Sequence, residues 1–146
     1  MRTHFVIANQ TLASDALQCA IAERIDVGPA WFHVVVPATP VGHALTWNEG
    51  ESMRAARERL EAILAWLRER GAEADGEIGD RDPVAAVRDA LRRRPADEII
   101  LSTLPPGISR WLGQDVPSRL RAVVGIPVAV VPQASGLGLA VAGRRV

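Results

Sequence analysis

The stretch Ala96-Asp-Glu-Ile-Ile-Leu-Ser-Thr-Leu-Pro-Pro-Gly-Ile-Ser-Arg-Trp-Leu-Gly-Gln-Asp115, followed by a short helix and Ile126-Pro-Val-Ala-Val-Val-Pro132, decides the fold. Asp97 to Leu101 predicts a strand buried on both faces, because its apolar run does not alternate with polar residues. A loop large enough to surround a phosphate comes next, then a helix, and Pro127 to Val131 forms a second buried strand. An open α/β sheet builds ligand sites from this order of parts, at the carboxyl ends of its strands. The loop holds Gly107 but has Leu104, Pro105 and Pro106 where flexible, amide-bearing residues would best enclose an anion.

Working outward, His4 to Asn9 predicts a central strand that leaves through the polar turn Asn9-Gln10-Thr11. A helix is expected from about Ala13 to Ile25, with Leu17, Ala20, Ile21 and Arg24 at helical spacing. Cys19 is placed on its apolar side as a packed, inert thiol. Ala30 to Val36 is a second buried strand, and Pro37 to Gly50 a long loop carrying His43 and Trp47. From about Glu51 to Arg70, Met53, Ala56, Leu60, Ile63, Leu64 and Leu67 form one apolar stripe. Arg54, Arg57, Glu58, Arg59, Glu61, Arg68 and Glu69 take the opposite face, and Gly71 marks the stop. Ala72 to Ile78 is polar enough for a sheet edge. Asp82 and Pro83 then supply an N-cap and a first helical residue for a helix ending near Arg94. The order β-α-β-α-β-α-β-α-β predicts an α/β fold: a doubly wound five-stranded parallel sheet, order 3-2-1-4-5, helices on both faces. Its domain covers residues 1–133. The tail 134–146 has no clear period.

Composition narrows the function. The chain has 146 residues, 48% hydrophobic and 23% charged, with a formal net charge of zero. These are the values of an ordinary globular domain, and charge balance gives no reason to expect a nucleic-acid partner. No lysine occurs, which removes a P-loop lysine and a Schiff-base lysine. With one cysteine there is no intrachain disulfide. His4, His33 and His43 lack metal-ligand spacing, so no metal is expected. His33, in a strand, is expected as a hydrogen-bonded core histidine. No apolar run approaches the roughly 20 residues that span a bilayer, and the N-terminus lacks a signal-peptide layout. A cytoplasmic protein without a membrane partner is the expectation.

The layout resembles the universal stress protein family, within the adenine-nucleotide alpha hydrolase-like folds, over about residues 3 to 133. The likeness is carried by Phe5-Val-Ile-Ala-Asn-Gln-Thr11, Phe32-His-Val-Val-Val36, Gly79-Asp-Arg-Asp-Pro83 and Ala96-Asp-Glu-Ile-Ile100. It continues through Gly107-Ile-Ser-Arg-Trp-Leu-Gly113 and Ile126-Pro-Val-Ala-Val-Val131. The chain resembles a divergent, actinobacterial-type branch that lacks the usual glycine-rich ATP motif. ATP-binding members carry Gly-x2-Gly-x9-Gly-[Ser/Thr] after the fourth strand. Here the first two glycines fall at Leu101 and Leu104. The third meets Gly113 after deletion of one residue, and Gln114 follows. Asn9 replaces the aspartate that usually ends the first strand. The resemblance therefore implies an adenine nucleotide as the ligand class, with weak ATP binding, and a homodimer joined through the last strand.

The candidate site comprises Asn9, Thr11, Val35, Val36, Ser102, Thr103, Gly107, Ser109, Arg110 and Gly113. Hydroxyls of Ser102 and Thr103, amides of Gly107 and Ile108, and the Arg110 guanidinium can gather round an anion at a helix start. The same loop also suits a rigid strand-to-helix turn in which the hydroxyls cap backbone groups. Ser14-Asp15 and Asp80-Asp82 suit helix caps, and Arg92-Arg93-Arg94 suits a solvated helix end. No catalytic constellation is visible. Three functions stay open: a non-enzymatic domain with a regulatory or stress-response role that binds a nucleotide or a small phosphorylated ligand; a ligand-free dimeric interaction module; and a nucleotide-hydrolysing enzyme.

Overall fold

The computed structural model describes residues 1–38, 49–104, 110–113 and 115–132. His43, Trp47, Gly107, Ser109 and the tail 134–146 lie outside them. The elements run β1 (Arg2–Ile7), α1 (Asp15–Val27), β2 (Ala30–Pro37), α2 (Glu49–Glu69), β3 (Glu73–Gly79), α3 (Pro83–Arg93), β4 (Glu98–Thr103), α4 (Arg110–Gly113), α5 (Val116–Val124) and β5 (Val128–Pro132). The strands form one sheet in the order β3-β2-β1-β4-β5, every neighbouring pair parallel. This is the expected topology, with element ends shifted by about two residues. In the register, Ile7 stands between Val35 and Leu101, so the carboxyl ends of β1, β2 and β4 arrive at one edge of the sheet.

Two apolar layers cover the sheet, and strand alternation sorts residues between them. Val6, Ala8, Val34, Val36 and Ile100 face α1 and α2 and pack with Leu17, Ile21, Leu60, Ile63 and Leu67. Phe5, Ile7, Val35, Ile99 and Leu101 face the other way and pack with Val84, Val87, Ala90, Trp111, Val116 and Leu120. The helices start where side chains replace missing backbone partners. Ser14 accepts a hydrogen bond from the Leu17 amide at 3.1 Å, and Asp82 accepts one from the Val84 amide at 3.1 Å. Asp80 accepts from the Asp82 amide at 2.9 Å, so both expected caps form.

Two side chains depart from expectation. Cys19 is exposed rather than packed. Leu17 and Ile21 are the buried residues of α1, and a residue two positions from each lies about 200° round the helix, on the outer face. Met53 is 37% exposed, because the inward stripe of α2 begins a turn later, at Ala56. Gly76 on β3 has a packing role: a Cβ there would lie 2.6 Å from Leu60 Cδ1 and 2.7 Å from the Val34 carbonyl. Its bare backbone lets α2 settle on the sheet. Among the described residues no helix is long and apolar enough to cross a membrane.

Candidate functional site

At the centre of the sheet, β1 leads to α1 on one face and β4 leads to α4 and α5 on the other. Chains that diverge in this way open a crevice at the carboxyl ends of the strands. The turn after β1 is held by backbone hydrogen bonds from Leu12 to the Asn9 carbonyl (3.3 Å) and from Ser14 to the Thr11 carbonyl (3.0 Å). Asn9 and Thr11 are buried at the end of this turn, as are Ser102 and Thr103 at the end of β4. The Thr11 and Ser102 hydroxyls meet at 2.6 Å and link segments 91 residues apart. Asn9 Nδ2 donates to the Pro37 carbonyl at 2.9 Å, and the Val35 carbonyl accepts from the Ala8 amide at 3.3 Å.

Val35 and Val36 are buried on opposite faces of the sheet and contribute apolar wall. Thr103 differs from its neighbours. It is 1% exposed, and among the described residues its hydroxyl has no hydrogen-bond partner. A buried polar atom in that condition costs free energy unless something arrives to satisfy it.

Five of the expected site residues therefore converge with Thr103 at one end of the sheet: Asn9, Thr11, Val35, Val36 and Ser102. Arg110 and Gly113 open and close α4, whose Trp111 is buried against the sheet. Leu101, at the first glycine position of the nucleotide motif, is a fully buried β4 residue, and Leu104 is half-buried just beyond the strand.

One residue was not anticipated. Arg59 of α2 reaches across the helical layer and donates from Nη1 to Asn9 Oδ1 at 2.7 Å. In sequence it is one of many charges on the polar face of α2, and helical spacing alone cannot reveal how far a long side chain reaches. The Thr11–Ser102 contact is equally invisible there, since it depends on the strand order.

Two other charged clusters are already engaged. At the opposite end of the sheet lies a groove of about 550 Å³ with Arg2, His4, Arg24 and Glu98 among its lining residues. Glu98 accepts from Arg24 at 2.8 and 3.0 Å and is 2.8 Å from His4 Nδ1. The Arg24 hydrogen bonds hold its carboxyl below the usual carboxylate range, against the opposing effect of burial.

On β2 and β3, the His33 ring lies 2.8 Å from Asp75 and 2.6 Å from Glu77, a hydrogen-bonded core histidine as expected. Burial pushes the Glu77 carboxyl up, but donors from Arg93 and His33 outweigh it and leave it below its ordinary value. The arginine run is not a solvated helix end throughout. Arg93 pairs with Glu77 at 2.6 Å, and Arg94 with Asp75 at 3.2 Å while stacking 3.6 Å over Trp31. Arg92 stays on the surface beside Asp89. Among the described residues no group of three or more His, Cys, Asp or Glu side chains is arranged to hold a metal.

No protein-family model matches the sequence, and no curated protein matches it. Solved structures do resemble it. A universal stress protein family member from Burkholderia pseudomallei superposes with a TM-score of 0.61 at 18% identity, over 90% of this chain and 96% of that one. One from Arabidopsis thaliana with AMP bound gives 0.64 at 12% identity, over 92% and 94%. The universal stress protein from Archaeoglobus fulgidus in complex with dAMP gives 0.55 at 16% identity, over 90% and 97%. At these identities the likeness establishes the fold: the chain has the α/β architecture of the universal stress proteins.

Proposed function

We propose that this protein is a non-enzymatic binding domain with a regulatory or stress-response role. It takes an adenine nucleotide or a smaller phosphorylated ligand between Asn9–Thr11, Val35–Val36 and Ser102–Gly113. The observation that carries this proposal is the Thr103 hydroxyl, buried and without a partner among the described residues, at the ends of β1 and β4. Hydroxyls and amides bind phosphate oxygens well once water is excluded, and two proteins of the same fold have AMP and dAMP bound. Because Leu104, Pro105 and Pro106 replace the amide-rich cradle, a polyphosphate is held weakly.

The reading extends to assembly. β5 is a sheet edge whose Ala129, Val130 and Val131 are only partly buried, and an apolar edge of this kind favours pairing with a second copy. A homodimer joined through β5 follows.

A competing function has its own support. The Thr11 and Ser102 hydroxyls satisfy each other at 2.6 Å, and Asn9 is bonded to Pro37 and Arg59. Most of the polar crevice is therefore complete without a ligand, which favours a ligand-free dimeric interaction module. Melting the protein with AMP, ADP, ATP and cyclic AMP separates the two. A ligand at 100 times its dissociation constant adds about 2.7 kcal/mol of stability. A shift with AMP supports the binding domain, and no shift with any of the four at millimolar concentration supports the interaction module.

A further inference from the structure

The crevice holds polar groups from β1 and β4, and Arg59 adds a full positive charge from α2. Its guanidinium donates from Nη1 to the Asn9 side-chain carbonyl at 2.7 Å. Among the described residues this is its one hydrogen bond, and no carboxylate forms an ion pair with it. The other arginines near carboxylates behave differently: Arg24, Arg93, Arg94 and Arg119 each spend their charge on a glutamate or aspartate. Arg59 is half-buried, so solvent screens its charge less than at an open surface. An amide can orient a guanidinium through a hydrogen bond, but it brings no countercharge. Arg59 also lines a groove of about 340 Å³ between α2 and the start of α1, with Leu12, Ala13, Gln18, Glu58 and Trp66 among its walls. Glu58 lines the same groove but forms no ion pair with Arg59.

We propose that Arg59, oriented by Asn9, is the residue that makes this crevice select a phosphomonoester, such as a nucleoside monophosphate, over a neutral nucleoside. The inference rests on the binding function proposed above and adds the source of charge selectivity. A planar fork of donors matches phosphate oxygens, and Nη1 is the donor that Asn9 engages. With Leu104, Pro105 and Pro106 in place of a glycine cradle, a guanidinium suits one phosphate better than three. The pairing also gives position 9 a meaning. An aspartate there would neutralise Arg59 internally, whereas asparagine positions it and leaves its charge for a ligand.

The test titrates the full chain with AMP and with adenosine, following backbone resonances by NMR and affinity by calorimetry. The wild type should bind AMP at least about tenfold more tightly than adenosine, the scale of one charge-assisted hydrogen bond. Arg59→Gln should weaken AMP by about tenfold or more and change adenosine by less than about threefold. Arg59→Lys should recover part of the loss, since it restores charge without the fork. Asn9→Asp should weaken AMP as Arg59→Gln does while the arginine is still present. Thermal melts without ligand establish that each variant folds. If AMP still moves the Thr11, Ser102 and Thr103 resonances but Arg59→Gln and Asn9→Asp leave its affinity unchanged, Arg59 is structural and the crevice stands as a site without it. If neither AMP nor adenosine moves those resonances in the wild type, the crevice is no ligand site and this inference falls with it.

Discussion

Thr103→Val and Ser102→Ala should shift stability in opposite directions, although the residues are adjacent on one strand. Thr103 is 1% exposed and its hydroxyl is unpartnered among the described residues, so the folded state bears the desolvation of a group that water satisfies in the unfolded chain. Leaving a buried hydroxyl unpaired costs roughly 1–3 kcal/mol. Valine has nearly the same shape and suits a strand, so the substitution removes the penalty without opening a cavity. Taking the lower half of that range for local relaxation, the ligand-free protein should gain about 1–2 kcal/mol, or about 3–6 °C in Tm.

Ser102 is the reverse case. Its hydroxyl meets Thr11 at 2.6 Å, and alanine would strand the Thr11 hydroxyl in a buried position, costing about 1–3 kcal/mol. Urea unfolding at neutral pH gives both values, provided that the denaturant slope is unchanged. The same samples melted with AMP test function: Thr103→Val should lose most of the ligand-induced shift that the wild type shows. A Thr103→Val protein at least 1 kcal/mol less stable than wild type would refute the reasoning, since its hydroxyl must then have been satisfied. An undiminished AMP shift would refute the role of Thr103 in the site.

Further expectations follow from packing, charge and assembly. Gly76→Ala would force Leu60 or the Val34 carbonyl to move, since the new Cβ falls 2.6 and 2.7 Å from them. It should cost about 1–3 kcal/mol in urea unfolding. Glu98 has a folded-state pKa below its ordinary 4.5 because of Arg24 and His4. Its stabilising effect is therefore fully present above the unfolded value and lost as pH falls through the folded value. The stability difference between wild type and Glu98→Gln should shrink as pH falls from about 5 toward 3. Light scattering should report a dimer of the 15.7 kDa chain at micromolar concentration, and Val130→Glu on the β5 edge should yield a folded monomer. A wild-type monomer would remove the case for assembly through β5.

The strand order was legible because three runs, at β1, β2 and β4, are apolar without alternation, which implies burial on both faces and parallel pairing. Ser14 and Asp82 were legible as caps because capping is a local event, decided within three residues. Strand ends were less so. β1 begins at Arg2, where the Thr3 amide bonds to Asp97 Oδ2 and the Asp97 amide bonds back to the Thr3 carbonyl, each at 2.8 Å. That exchange spans 94 residues and leaves no local trace. Cys19 was misplaced because its neighbours on α1 are evenly mixed in polarity, and only the two fully buried residues, Leu17 and Ile21, define the inward direction. At the carboxyl ends of the strands, Asn9, Thr11, Ser102 and Thr103 were expected from the ends of apolar runs. Arg59 was not, because nothing near it in sequence distinguishes it from the other arginines of α2.

The two outer strands of the sheet differ in what they permit. On β3, Asp75 and Glu77 are tied to His33, Arg93 and Arg94. Charged side chains along an edge strand discourage pairing with another chain. On β5 the residues are Val-Ala-Val-Val-Pro, with no charge to resist an incoming backbone. Growth by strand addition thus has one permissive end and one terminated end. Two copies meeting at their permissive ends have nothing further to offer a third, so an assembly built this way is finite and does not propagate into a fibre.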